Sequence, residues 1–156
     1  MNQSRRKLLQ ASGGATVMAL AASAGVFNSG NLHAEEWNKA AFDTKTLQDT
    51  VKAFGGAAAT ESKDITITSP DIAENGAVVP VSVSSKLGKT EAISILVEKN
   101  PNALSAAFDI PSGTEPFVST RVKMGQTSNV YALVKADGKY FFATKEIKVT
   151  LGGCGG

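Results

Sequence analysis

Short stretches of alternating apolar and polar residues fill most of the chain after residue 63. Seven such stretches are separated by turns rich in glycine, proline and asparagine. They are residues 64–68, 79–84, 92–97, 104–110, 117–124, 130–135 and 140–144, the last continuing through Ile147, Val149 and Leu151. A period of two is typical of strands with one buried face. Because no helical stretches alternate with these strands, the pattern predicts an antiparallel β-sandwich of immunoglobulin-like type.

Within this pattern, several stretches carry more local information. Residues 92–97 form the most apolar run and are predicted to be a central strand. Pro80 lacks an amide donor, which favours an edge position or a strand start. Asn75-Gly76 and Asp137-Gly138 are strong turn signals, and residues 57–62 are predicted to be a loop.

A single helix is predicted before the strands. Apolar or small residues recur there at steps of three and four, which gives a stripe over four to five turns. The stripe consists of Trp37, Ala41, Thr44, Leu47, Val51 and Phe54, and Gly55-Gly56 end it. Such a stripe is either core or a partner-binding face, and core is the favoured interpretation because aromatic stripes at helical spacing usually pack inward.

The chain opens with features of an export signal. Ser4 and the basic cluster Arg5-Arg6-Lys7 precede a mildly apolar run over residues 11–27, which indicates a signal peptide of the twin-arginine kind. Glycine, serine and threonine interrupt this run, so a membrane anchor is the weaker interpretation. Cleavage is expected after Ala34, with Ala24 as the alternative. The expected location is therefore the periplasm, with no membrane attachment after cleavage.

Removal of residues 1–34 changes the charge of the protein. It takes three of the 16 basic residues and none of the 14 acidic ones, which leaves a net charge of about −1. The remaining lysines are scattered, so no nucleic-acid-binding face is expected. We expect residues 35–151 to form one domain with one core.

Residues 152–156 read Gly-Gly-Cys-Gly-Gly and contain the only cysteine of the chain. Gly152, Gly153, Gly155 and Gly156 make a poor core and a good tether, so the segment is expected to be a flexible arm that presents Cys154. A frayed terminus is the plain alternative. A lone cysteine in an exported protein, however, indicates intermolecular pairing or a free reactive thiol.

The residue types exclude several kinds of chemistry after export. His33 is the only histidine and would leave with the signal, so neither a base beside the thiol nor a copper site of two histidines and a cysteine is available. No cluster suits zinc, and no Cys-x-x-Cys motif occurs. Lys145 and Lys148 are near in sequence, but a mobile arm cannot hold either one beside the thiol. We therefore expect no metal, no cofactor and no catalytic residue.

The ending of the chain, residues 145–156, resembles that of the SoxY family, the sulfur carriers of bacterial thiosulfate oxidation. The other segments that carry the resemblance are residues 74–81, 98–101, 120–124 and 135–139. The Gly-Gly-Cys-Gly-Gly ending is the most specific of these signals. The resemblance implies that Cys154 is the covalent attachment point for sulfur intermediates, on a subunit that is not itself an enzyme.

The resemblance also implies a set of partners. The protein would pair with SoxZ, a small sandwich protein. A haem cytochrome of the SoxAX type would join thiosulfate oxidatively to the thiol, and a manganese hydrolase of the SoxB type would release sulfate. Where present, a sulfane dehydrogenase of the SoxCD type would oxidise the remaining sulfur. The exposed faces of residues 93–97 and of the Trp37 helix are candidate surfaces for SoxZ.

An interaction module of immunoglobulin-like fold is the alternative function. Such a module would use Cys154 for an intermolecular disulfide.

Overall fold

The computed structural model describes residues 38–150 of the 156-residue chain. Within these residues, two short helices, α1 (Lys39–Phe42) and α2 (Leu47–Ala53), precede nine strands. The strands are β1 (Ala59–Glu61), β2 (Ile65–Thr68), β3 (Ile72–Ala73), β4 (Val79–Ser85), β5 (Thr90–Val97), β6 (Leu104–Asp109), β7 (Phe117–Val122), β8 (Ser128–Ala136) and β9 (Lys139–Val149). No helix in this part of the chain is long and apolar enough to cross a membrane.

The strands form two sheets, which confirms the predicted sandwich. The larger sheet has the order β1-β9-β8-β5-β6, and β3 also pairs with β9. The smaller sheet has the order β2-β4-β7. Most pairs are antiparallel, but β1 and β3 each run parallel to β9. Both are short, and they raise the strand number above the predicted seven.

The main core lies between the two sheets. Alternate residues of β4, β5 and β8 point into it and are fully buried. They are Val79, Val81, Val83, Ile93, Ile95, Val97, Val130, Ala132 and Val134. This alternation is the period of two read from the sequence, because successive strand residues face opposite sides of a sheet.

A second, smaller core covers the outer face of the larger sheet. Ala41 of α1 and Val51 of α2 are fully buried there against Leu96, Leu133 and Tyr140. The core interpretation of the helical stripe is thus confirmed at Ala41 and Val51, whereas Trp37 lies outside the described residues.

This second core corrects a candidate for the partner surface. Residues 93–97 of β5 have both faces covered, since Ile93, Ile95 and Val97 face the main core and Leu96 faces the helices. All five residues are buried. The prediction that they expose a face for SoxZ is therefore wrong, because β5 is an interior strand between β8 and β6.

The predicted single helix is also wrong, because it is broken into α1 and α2. The hydroxyl of Thr44 donates to the carbonyl of Ala41 at 2.6 Å, and the side chain of Thr46 accepts the amide of Asp49 at 3.1 Å. Thr46 has extended backbone angles and is the N-cap of α2. Threonine at a cap satisfies orphan helix amides, so the sequence Thr44-Lys45-Thr46 favours a new start over a continuous helix.

The loop predicted over residues 57–62 contains the strand β1, which that prediction missed. Ala59, Thr60 and Glu61 pair in parallel with Tyr140, Phe141 and Phe142 of β9. No local alternation marks these three residues, because their strand conformation comes from a neighbour far along the chain.

The predictions for the two turns and for Pro80 agree with the structure. Asp137 and Gly138 both have positive φ, the conformation of a two-residue hairpin turn, between β8 and β9. Pro80 is the second residue of β4 and lies opposite Arg121 of β7, while the pairing of β4 with β2 begins only at Ser82. Pro80 therefore lies at a strand start that is also a local edge.

Tyr140 links the second core to the end of α2, and its loss has a predictable cost. Its hydroxyl donates to the carbonyl of Phe54 at 2.9 Å. Tyr140→Phe should lower the free energy of unfolding by about 1 kcal/mol, the usual net value of one hydrogen bond. Tyr131→Phe is the control, since the Tyr131 hydroxyl makes only a 3.4 Å contact with Glu98. Equal losses in urea unfolding of the two variants would contradict the prediction.

Tyr140 should also make the free energy of unfolding depend on pH. Burial raises the pKa of Tyr140 in the folded protein. Its contribution to stability is therefore present below the unfolded pKa of about 10 and is lost as the pH rises through the folded pKa. Tyr140→Phe should accordingly lose less stability than the wild type between neutral pH and strongly alkaline pH.

Candidate functional site

The candidate site is the end of β9, from which the chain continues to Cys154. β9 runs from Lys139 to Val149, and Thr150 is the last described residue. The predicted attachment residue Cys154 lies outside the described residues, as do Leu151 and the arm residues Gly152, Gly153, Gly155 and Gly156. The structure therefore describes the base of the arm and leaves the arm itself as a prediction.

Backbone hydrogen bonds hold the last residues of β9 to a loop that we call the clamp loop, residues 69–76. The amide of Lys148 donates to the carbonyl of Asp71 at 2.9 Å, and the amide of Thr150 donates to the carbonyl of Ala73 at 3.1 Å. These bonds accompany the parallel pairing of β3 with β9. The chain is thus fixed to the body up to Thr150, four residues before Cys154.

The opposite side of β9 is also held. The amide of Val149 donates to the side-chain oxygen of Thr127 at 3.0 Å, and β8 pairs with β9 as far as Ile147. Ile147 is fully buried in the main core. Contacts from two sides give the arm a defined starting point.

The Asn75-Gly76 turn lies directly under the end of β9. The side chain of Asn75 accepts the amide of Ala77 at 2.9 Å, which closes the turn, and Gly76 accepts the amide of Met124 at 2.7 Å. A Cβ on Gly76 would overlap the carbonyl oxygen of Met124 and lie 2.8 Å from Cγ1 of Val149. Glycine is required here because the backbone of residues 76 and 124 and the Val149 side chain approach so closely.

Lys145 ties the start of the clamp loop to the middle of β9. Its Nζ donates to the carbonyl of Ser69 at 2.6 Å and lies 2.9 Å from Oδ1 of Asp71. The Lys145 side chain is 28% exposed, whereas that of Asp71 is 88% exposed. Lys145 is near Cys154 in sequence, but its ammonium group is already bound within the body.

Two large aliphatic residues are exposed beside this site. Ile72 in β3 has 56% of its surface exposed, and Val78, just after the Asn75-Gly76 turn, has 49%. Both lie within a few residues of contacts made by the end of β9. The base of the arm therefore carries exposed aliphatic side chains in the clamp loop and just after it.

A separate cleft of about 330 Å³ lies at the other end of β9. It is lined by residues of α2, β5, β6 and β8 and by Tyr140, and an ion pair of 2.9 Å between Lys135 and Glu91 crosses its border. The hydrogen bond from Lys135 lowers the pKa of Glu91, and Glu91 in turn raises the pKa of Lys135. Because Tyr140 and Val149 are about 30 Å apart along a strand, this cleft is not part of the arm base.

Within residues 38–150, no group of three or more histidine, cysteine, aspartate or glutamate side chains is placed to hold a metal ion. Hydrogen bonds and packing contacts hold the described residues of the arm base, and Cys154 is four residues further along the chain than Thr150.

A family model described as sulfur oxidation protein SoxY matches residues 50–154, more than half of the chain. The chain belongs to the SoxY family. The last matched residue is Cys154. The family predicted from the Gly-Gly-Cys-Gly-Gly ending and the internal segments is therefore confirmed.

One solved structure supports this assignment, and a second shares the fold. The sulfur carrier protein SoxY from Chlorobium limicola f thiosulfatophilum is 40% identical, with a TM-score of 0.59 over 65% of this chain and 92% of that chain. A superoxide reductase (neelaredoxin) from Ignicoccus hospitalis is 21% identical, with a TM-score of 0.50 over 55% of this chain and 80% of that one. At that identity the second likeness shows the fold alone. A search of curated proteins finds no significant match.

Sequence reasoning found the thiol but missed the residues that hold its base. The Asn75-Gly76 turn was identified, yet nothing local in the sequence says that it packs under Val149. Lys145 and Asp71 are 74 residues apart in their numbering and carry no shared motif. The resemblance of residues 74–81 to the SoxY family includes Gly76, but the resemblance gives no structural reason for a glycine at that position.

Proposed function

We propose that this SoxY-family protein is a sulfur carrier that holds intermediates of thiosulfate oxidation covalently on Cys154. The observation that carries the proposal is that the family match extends to Cys154 while the body holds the chain firmly up to Thr150. Gly152, Gly153, Gly155 and Gly156 give the flanks of the thiol the freedom and small cross-section that entry into a narrow active site requires.

The distance that the Cys154 thiol can extend from the body limits how the carrier works. Cys154 is the fourth residue after Thr150, and an extended chain spans at most about 3.3–3.6 Å per residue, so the thiol reaches roughly 14 Å from the body. An enzyme that acts on the thiol must therefore dock close to the arm base, where Ile72 and Val78 are exposed. The covalent link keeps the labile sulfur group from diffusing away and holds it at high effective concentration for each docked enzyme.

The chemistry belongs to the partners, in line with the family's role. The protein pairs with SoxZ, and a SoxAX cytochrome removes two electrons and one proton as the Cys154 thiol and thiosulfate join in an S-thiosulfonate. A SoxB hydrolase then adds water, which releases sulfate and leaves a persulfide on Cys154. A SoxCD dehydrogenase, where present, oxidises that outer sulfur, and a second hydrolysis restores the thiol. In this scheme the chain supplies an attachment point and no catalytic residue.

The proposed location follows from the start of the sequence. Arg5 and Arg6 direct export by the twin-arginine route, and cleavage after Ala34 releases the folded carrier into the periplasm. This route transports folded cargo, so the carrier can leave the cytoplasm together with its partner.

Intact mass spectrometry of the protein from cells that are oxidising thiosulfate tests the proposal. The expected result is a mass increase from sulfur-bearing adducts, which disappears when the sample is treated with a reductant. An unmodified thiol throughout active thiosulfate oxidation would count against the carrier function.

The alternative, an interaction module of immunoglobulin-like fold, predicts a different result from the same sample. Its Cys154 would form an intermolecular disulfide, so the non-reduced protein would have the mass of a covalent dimer. Reduction would give the monomer mass with no small sulfur adduct at any stage.

A further inference from the structure

The outer edge of β9, the edge that faces away from β8, is only partly paired. β1 pairs with it at residues 140–142, and β3 pairs with it at residues 148–149. Between them, residues 143–147 have no strand partner on this edge within the described part of the chain. Lys145 lies in the middle of this gap.

The Lys145 side chain bridges the gap toward the clamp loop. Its ammonium group donates to the Ser69 carbonyl at 2.6 Å and lies 2.9 Å from the Asp71 carboxylate. Because Asp71 is well exposed, the ion pair alone contributes little. The hydrogen bond to Ser69 is charge-assisted and partly buried, so it is the stronger of the two contacts.

The strand β3 follows directly after the residues that this bridge holds. β3 has only Ile72 and Ala73, and a two-residue parallel pairing is weak by itself. The carbonyls of Asp71, just before β3, and of Ala73, within it, nevertheless accept the last held amides of the chain, those of Lys148 and Thr150. Contacts that fix residues 69–71 therefore also fix the end of β9.

We infer that Lys145 is a positioning residue that fixes where the tether to Cys154 begins, the tether being the chain between the last held residue and the thiol. The importance of the tether for sulfur transfer rests on the proposed carrier function. With the clamp loop in place, the tether starts after Thr150. With it released, the tether starts after Val149, whose amide still donates to Thr127 on the other side of β9.

This difference changes the reach of the thiol. The tether has four residues in the first case and five in the second, which corresponds to roughly 14 Å and roughly 17 Å of extended chain. Effective concentration falls as about the −3/2 power of tether length, so it should drop about 1.4-fold. A docked enzyme would meet a thiol that is more widely spread and less well oriented.

The inference is tested by measuring hydrogen exchange at single amides of the mature chain. The rates in the Lys145→Met variant are compared with those in the wild type. Exchange at the amides of Lys148 and Thr150 should become about five- to tenfold faster, because both amides lose their carbonyl acceptors when the clamp loop opens locally. The amides of Ala132 and Val134 in β8 should keep their wild-type rates.

Three variants complete the test. Lys145→Arg retains a cation with several donors and should restore the wild-type rates. Asp71→Asn leaves the Ser69 contact in place and should have a smaller effect than Lys145→Met. Lys139→Met, which removes an exposed lysine at the other end of β9, should change nothing at residues 148 and 150.

Two results would overturn the inference. One is unchanged exchange at Lys148 and Thr150 in Lys145→Met. The other is faster exchange throughout β8 as well, which would mean a general loss of stability. Neither readout depends on sulfur loading, so failure here is distinct from the absence of adducts on Cys154, which would remove the proposed function instead.

Discussion

Replacing Cys154 with alanine is expected to abolish thiosulfate-dependent turnover in a system reconstituted with the partner proteins. The reason is that the chain contains no other thiol to which a sulfur intermediate can be attached. Turnover should fall to the background rate without carrier, measured as sulfate released or as electrons delivered to the cytochrome.

The body of the variant should be unaffected. The described hydrogen bonds end at Thr150, four residues before the substitution, so the unfolding midpoint and the affinity for the proposed partner SoxZ should equal those of the wild type. Cys154→Ser, which has nearly the same shape but a much weaker nucleophile, should be equally inactive. Turnover near the wild-type rate in either variant would show that another group carries the sulfur.

The second large effect is expected at Gly76. A Cβ there would meet the Met124 carbonyl and Cγ1 of Val149. The Asn75-Gly76 turn, the residues just after β7 and the end of β9 therefore cannot all keep their positions. Gly76→Ala should lower the free energy of unfolding by about 1–3 kcal/mol, as overpacking at a rigid site usually does. Urea unfolding monitored by circular dichroism measures this loss.

Gly125→Ala is the matched control, because a Cβ on Gly125 meets nothing within 4 Å. A substitution away from such contacts usually changes stability by less than about 0.5 kcal/mol. A Gly76→Ala variant that is as stable as Gly125→Ala would contradict the close approach described at the arm base.

The strands of the sandwich were largely predictable because their side chains alternate locally. Val79, Val81 and Val83 show the period of two directly, and so do Ile93, Ile95 and Val97. The hairpin at Asp137-Gly138 was predictable for a similar reason, since the two residues tolerate the positive φ values that the turn requires.

Other features depend on partners distant in sequence and were not predictable from periodicity. β1 and β3 owe their strand conformation to β9, which follows them by about 70 residues or more. The helix break at Thr44 and Thr46 was visible as capping residues, but the apolar stripe over the same residues suggested one continuous helix. Hydrogen bonding at the caps outweighed the periodicity there.

The candidate site divides in the same way. The thiol was predictable because composition marks it, with one cysteine between two glycine pairs. The clamp loop was not, because Lys145 reads as one of several surface lysines until its 2.6 Å bond to Ser69 is seen. Gly76 likewise reads as an ordinary turn residue until the packing of Val149 against it is known.

The most direct test of the account is to find where the sulfur is attached. Cells are given a pulse of thiosulfate with a heavy sulfur isotope in the sulfane position, and the isolated protein is digested and analysed by tandem mass spectrometry without reduction. The account predicts heavy sulfur on the peptide that contains Cys154, appearing during the pulse and disappearing during a chase with unlabelled thiosulfate. A Cys154 peptide that stays unlabelled while thiosulfate is being oxidised would contradict it.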